Sequence, residues 1–117
     1  MVKVLVVDDK YFVRLKIKTL LEKNDYVVIE AENGIEAVKV YESEKPELTL
    51  CDIIMPEMDG ISALKKIREI NPHANVVMIT SLGEQSILME ALSCGAKEVL
   101  LKPFDDEKVM MIVKKYT

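Results

Sequence analysis

Five short apolar runs punctuate the chain at regular intervals: VKVLVV at 2–7, YVVIE at 26–30, ELTLC at 47–51, NVVMIT at 75–80 and KEVLL at 97–101. They are dense in Val, Ile and Leu rather than alternating apolar with polar. That suits strands buried on both faces of a parallel sheet.

The segments between them repeat with a helical period. Over 10–24, Val13, Ile17, Leu20 and Leu21 share one face. Asn33 and Glu36 form a capping box that opens a helix over 34–44. A third helix runs from about Asp59 to Ile70 and is stopped by Asn71-Pro72. The fourth spans about 84–94 with Ile87, Leu88 and Ala91 facing the core and Gly95 as its C-cap, and the fifth about 106–116 with Val109, Ile112, Val113 and Tyr116 facing inward. Strands alternating with helices in this way predict one doubly wound (βα)5 domain over 1–117, an α/β fold. Right-handed crossovers place helices on both faces of its parallel sheet.

Composition agrees with a globular protein: 50% of the residues are hydrophobic and 31% charged. A formal net charge of -4 with no basic stripe argues against nucleic-acid binding by this chain. The opening MVKVLVVDDK is too short an apolar run for a signal-peptide core or a membrane span, so no membrane association is expected and the cytoplasm follows. Cys51 and Cys94 lie far apart without metal-ligand spacing and read as buried free thiols. His73 follows Asn71-Pro72 in a loop and reads as a solvated residue. The glycines form neither a dinucleotide fingerprint nor a P-loop.

An open parallel sheet binds ligands outside the carboxyl ends of its strands. At those ends stand Asp8-Asp9 on strand 1, Asp52 on strand 3, Thr80-Ser81 on strand 4 and Lys102 on strand 5. Three carboxylates on one rim repel unless a cation sits among them. Mg²⁺ suits such a place, because it takes a few carboxylate oxygens and is completed by phosphate and water. A lysine and a hydroxyl at the same rim can hold phosphoryl oxygens, and a carboxylate can accept the phosphoryl group itself. Phosphoryl transfer to Asp52 is the chemistry this set supports.

The motifs VLVVDD at 4–9, DIIMPEMDG at 52–60, VMITS at 77–81 and KPF at 102–104 resemble those of response-regulator receiver domains, the CheY-like superfamily of two-component signalling. The resemblance covers nearly the whole chain. It implies the strand order 2-1-3-4-5 and a phosphorelay protein that takes a phosphoryl group onto Asp52. In it Asp8, Asp9 and Asp52 hold Mg²⁺, joined by the backbone carbonyl of Ile54, with Asp9 the more direct ligand of the acidic pair. Thr80 is the switch hydroxyl, Lys102 the phosphate partner, and Lys102-Pro103 a cis peptide. It also implies a signalling module that catalyses only its own phosphoryl transfer and dephosphorylation. A sensor histidine kinase or histidine phosphotransfer protein is the donor. The target is an output protein or an attached effector domain, with a phosphorylation-linked homodimer as a further partner. The chain is then either a stand-alone regulator or a receiver cut from a longer one.

One position departs from the family pattern: Val99 stands where an aromatic is common, three residues before Lys102. Coupling of Thr80 to an aromatic rotamer is therefore not expected. The signal would pass instead through the loop Ser81-Leu82-Gly83 to helix 4, strand 5 and helix 5.

Three other readings fit parts of the pattern. A Mg²⁺-dependent phosphatase or phosphotransferase acting on a separate substrate would place its nucleophile on strand 1 and need a substrate cap. A receiver-like module that is never phosphorylated would lack one of the site residues. A flavin mononucleotide site would want phosphate loops rich in Ser and Thr, and stacking aromatics, whereas the chain has no Trp and 2 Phe.

Three features bear on partners and lifetime. Tyr11, Phe12 and Leu15 point away from the core face of helix 1 and make a candidate docking patch for the phosphodonor. Met89 and Met111, with Met110 on the flank, fall outside the core faces of helices 4 and 5 and make an adaptable output surface. Ile54 and Leu82, each two residues after a site residue, are apolar and predict slow hydrolysis of the phosphorylated form.

Overall fold

The computed structural model describes all residues, 1–117. Five strands, β1 (Lys3–Val7), β2 (Val27–Ala31), β3 (Leu48–Asp52), β4 (Val76–Thr80) and β5 (Glu98–Leu101), alternate with five helices. These are α1 (Tyr11–Lys23), α2 (Gly34–Glu44), α3 (Gly60–Ile70), α4 (Gln85–Ser93) and α5 (Asp106–Tyr116). All neighbouring strands pair in parallel, in the order β2-β1-β3-β4-β5. The doubly wound α/β architecture and the strand order are those expected. Element ends differ from the sequence reading by a residue or two.

Side chains alternate between the two faces along each strand, so the sheet carries two cores. On one face Leu5, Val7, Cys51, Ile53, Val76 and Met78 pack with Ala37 and Tyr41 of α2, Leu64 and Ile67 of α3, and Ala91 of α4. On the other, Val4, Val6, Leu48, Leu50, Val77 and Ile79 pack with Ile17 and Leu21 of α1 and with Val109, Ile112 and Val113 of α5. Burial on both faces explains why β1, β3 and β4 read as continuous apolar runs.

The helix ends show how local chemistry sets the boundaries. Asn33, Asp59 and Asp105 are N-caps whose side chains accept the N–H of Glu36, Ser62 and Lys108, each at 2.8 Å. The expected capping box at Asn33 is thus half formed, since the Glu36 carboxylate makes no return bond to the Asn33 N–H. At the other end of α4, Gly95 is one residue beyond the cap, with φ at +106°. Its N–H bonds to Leu92 O and that of Ala96 to Ala91 O, a Schellman arrangement.

Two burial expectations need correction. Cys94 is only half-buried, because the last turn of α4 rides over the sheet edge, while Cys51 in central β3 is fully buried. On α4 Ala91 is buried but Ile87 and Leu88 are only half-covered, so this helix sits more lightly on the sheet than its pattern implied. No helix is long and apolar enough to cross a membrane.

Candidate functional site

β1 and β3 lie side by side at the centre of the sheet, which brings Asp8 and Asp52 to the same rim. One carboxylate oxygen from each of Asp8, Asp9 and Asp52 lies within 4.8 Å of the others. Asp8 and Asp52 are buried and Asp9 is exposed. β5 delivers Lys102 immediately after its last residue, and the ammonium stands 3.0 Å from Asp8 Oδ2 and 3.6 Å from Asp52 Oδ2. Thr80, the last residue of β4, is buried, and its Oγ1 accepts the N–H of Leu82 at 3.0 Å. The Lys102 N–H bonds to Thr80 O at 2.8 Å, so these two backbones are tied together. Lys102-Pro103 is cis. Ile54 lies in the loop after β3 and is 57% exposed.

Electrostatics mark the same place. Burial pushes the Asp52 carboxyl above the ordinary carboxylate range, and Asp8 pushes it further. Lys102 and Lys10 pull it back only in part. The Cys51 thiol is also pushed up, first by burial and then by Asp52, which keeps it protonated and inert. Three acids against two ammoniums, Lys102 and a solvent-facing Lys10 at 3.6 Å from Asp9, leave the rim short of positive charge. A small divalent cation with oxygen ligands fits that deficit and that donor set.

Two glycines shape the site by steric fit, a requirement that the sequence motifs do not express. Gly60 is the first residue of α3, and a Cβ on it would lie 2.0 Å from Asp52 O. Gly34 opens α2, and a Cβ there would lie 2.3 Å from Met58 O, to which the Gly34 N–H is bonded at 3.1 Å. The loop between Asp52 and Gly60 is thus pressed against two helix starts, with Glu57 at φ +68° completing its reversal. Glycine at a first helical position is a weak helix choice, and that is the signal that marked both residues. His73, by contrast, is exposed in its loop, away from this rim.

The family model for the response regulator receiver domain matches residues 4–114, and the chain belongs to that family. It is a receiver domain of CheY type, and so a two-component response regulator. It is 45% identical to the chemotaxis protein CheY of Bacillus subtilis (strain 168), over 97% of this chain and 95% of that one. It is 36% identical to sporulation initiation phosphotransferase F of the same organism, over 97% and 92% of the two chains. A chain in the crystal structure of the CheX-CheY-BeF3-Mg+2 complex from Borrelia burgdorferi superposes with a TM-score of 0.92 at 34% identity, covering 97% of this chain and 87% of that one.

Proposed function

We propose that this receiver takes a phosphoryl group from a phosphohistidine onto Asp52 in the presence of Mg²⁺. The observation that carries the reading is the meeting of Asp8, Asp9, Asp52 and Lys102 at one rim, with Asp52 4% exposed and a lysine 3.6 Å away. The donor is a sensor histidine kinase or a histidine phosphotransfer protein. An Asp52 oxygen attacks phosphorus, the P–N bond breaks, and its electron pair returns to the imidazole nitrogen.

Asp8, Asp9, Asp52 and the Ile54 backbone carbonyl would hold the Mg²⁺, which when bound offsets the charge of the phosphoryl oxygens. Lys102 exchanges Asp8 for a phosphoryl oxygen as that charge arrives. Thr80 Oγ1 already accepts a backbone N–H, which leaves its own proton free to donate. The protein works in the cytoplasm and dephosphorylates itself.

The output face is α4, β5 and α5. Met89 and Met111 are exposed there, and Val99, Leu100, Lys108 and Met111 line a shallow groove that a larger residue at 99 would narrow. An output protein, an attached effector domain or a second phosphorylated copy docks on it; the similar Borrelia chain is itself in a complex of CheX with CheY.

Incubation with acetyl phosphate and Mg²⁺, followed by peptide mass spectrometry, tests the core of this reading. One phosphoryl group should appear on Asp52, be absent in Asp52→Asn, and lose its Mg²⁺ dependence together with its yield in Asp9→Ala. A label on any other residue would overturn the assignment. Amide exchange with and without beryllofluoride tests the output face, since changes confined to α1 and α2 would rule it out.

A further inference from the structure

Asp8 uses every polar atom it has. Its N–H donates to Ala31 O at 3.2 Å, Oδ1 accepts the Lys10 N–H at 2.8 Å, and Oδ2 faces Lys102 Nζ at 3.0 Å. Its backbone carbonyl accepts Arg14 Nη1 at 2.6 Å. Arg14 makes no ion pair with any of the three site carboxylates. Instead its Nε is 3.1 Å from Glu30 Oε1, and its side chain is only 12% exposed. Glu30, on edge strand β2, is held in turn by Lys18 at 3.4 Å.

Asp9 is held by much less. It is exposed, and its one ion pair is a 3.6 Å contact with the solvent-facing Lys10. Little acting on its own side chain fixes where its carboxylate points. The Asp8 carbonyl belongs to the planar peptide that joins the two acids, so tilting that plane swings the Asp9 side chain.

We infer that Arg14 is a positioning residue for the metal site: clamped by Glu30, it fixes the Asp8-Asp9 peptide plane and thereby aims Asp9. This rests on the proposed Mg²⁺ reading and deepens it. The guanidinium suits the task because its rigid fork reaches an acceptor at each end at once, whereas a lysine ammonium is a point charge on a flexible stem. A purely electrostatic role has the opposite sign. A cation near three acids repels Mg²⁺, so its removal would tighten metal binding.

Calorimetric titration of Mg²⁺ alone into the full chain distinguishes these outcomes, with thermal melts in EDTA alongside. Arg14→Met should raise the Mg²⁺ Kd about tenfold or more, the usual effect of losing a partner that orients a ligand. Arg14→Lys keeps the charge, cannot span both acceptors, and should also weaken binding. It carries the test if the methionine variant fails to fold. Glu30→Gln retains its carbonyl acceptor and should stay close to the wild-type Kd. An unchanged or tighter Kd in Arg14→Met overturns the inference, and so does full restoration by lysine. A lower melting temperature with an unchanged Kd overturns it as well, since that is a purely structural role. Wild-type protein that binds no Mg²⁺ would sink the metal reading itself, a distinct result.

Discussion

Lys102 Nζ stands 3.0 Å from Asp8 Oδ2, nearer than its 3.6 Å approach to Asp52, the proposed phosphoacceptor. Before phosphorylation the lysine therefore serves chiefly as counter-ion to a buried member of the acid pair. In Lys102→Ala, Asp8 and Asp52 would face each other without it. The unphosphorylated protein should lose about 1–3 kcal/mol at neutral pH in EDTA, the scale of an uncompensated buried polar or charged group. Urea denaturation measures it. A variant as stable as the wild type would mean that water already compensates both acids.

Asp52→Asn should change stability in the opposite direction when metal is absent. Burial and Asp8 raise the folded-state pKa of Asp52 above its ordinary value of 3.8, so the ionised form is disfavoured in the fold. That cost is fully present above the folded pKa and fades as pH falls through it toward 3.8. In EDTA near neutral pH the asparagine variant should unfold at higher urea than the wild type, and the gap should close on acidification. Mg²⁺ should reverse the order, adding about 2.7 kcal/mol to the wild type at a hundredfold excess over its Kd and less to the variant. A gap that is independent of pH would be inconsistent with this account.

Thr49 gives a test that does not touch the site. It lies fully buried in β3, and its Oγ1 has no hydrogen-bond partner. Its neighbours in the strand, Leu48 and Leu50, belong to the opposite core, so the hydroxyl faces the α2–α3 side. Thr49→Val removes the orphaned group at nearly constant shape and should stabilise the fold by about 1 kcal/mol. Equilibrium denaturation decides it, and a destabilised variant would reveal a hidden partner for the hydroxyl.

The sheet and the rim of acids were legible because each rests on a strong local signal, and the strand order because the motifs resemble those of receiver domains. Buried parallel strands have little polar to interrupt them, and carboxylates, hydroxyls and an ammonium mark four of their ends. Other features depend on tertiary contact and leave little trace in the chain. Nothing in the pattern of α1 gives Arg14 a role, and only the fold brings it within reach of Asp8 O and Glu30. Gly34 and Gly60 were weighed against nucleotide motifs, whereas their requirement is steric, with backbone oxygens where a Cβ would go. The half-exposure of Cys94 reflects how lightly α4 rests on β5, which an apolar sequence neighbourhood does not encode.

Lifetime of the phosphorylated form follows from what flanks the rim. Hydrolysis needs a water held in line with the P–O bond, and polar side chains are the groups that hold one. Ile54 is exposed and Leu82 half-buried, and neither has a polar atom to offer. The aspartyl phosphate should persist for many minutes. Replacing both residues by polar ones should speed loss of the label, followed by phosphate-affinity electrophoresis after removal of the donor. An unchanged decay would show that loop geometry rather than these side chains limits the water.

The phosphodonor must bring its histidine to a rim flanked by the start of α1, and that helix presents an apolar side there. Phe12 is 80% exposed, Tyr11 packs edge-on against it at 5.6 Å between ring centroids, and Leu15 lies one turn further along. Phe12, Val13 and Lys16 also line a cleft with Ser81, Lys102, Pro103 and Phe104, so the apolar side of α1 runs directly to Lys102. A protein donor would cover this surface, whereas acetyl phosphate is too small to use it. Phe12→Ala with Leu15→Ala should therefore slow transfer from the cognate kinase about tenfold or more, the loss of an interface anchor. Labelling by acetyl phosphate should stay at the wild-type rate, since neither side chain touches an acid of the site. Because Phe12 is 80% exposed and Leu15 39%, neither belonging to the buried core, the double variant should also melt near the wild-type temperature. Equal slowing with both donors would place the defect in the site rather than in docking.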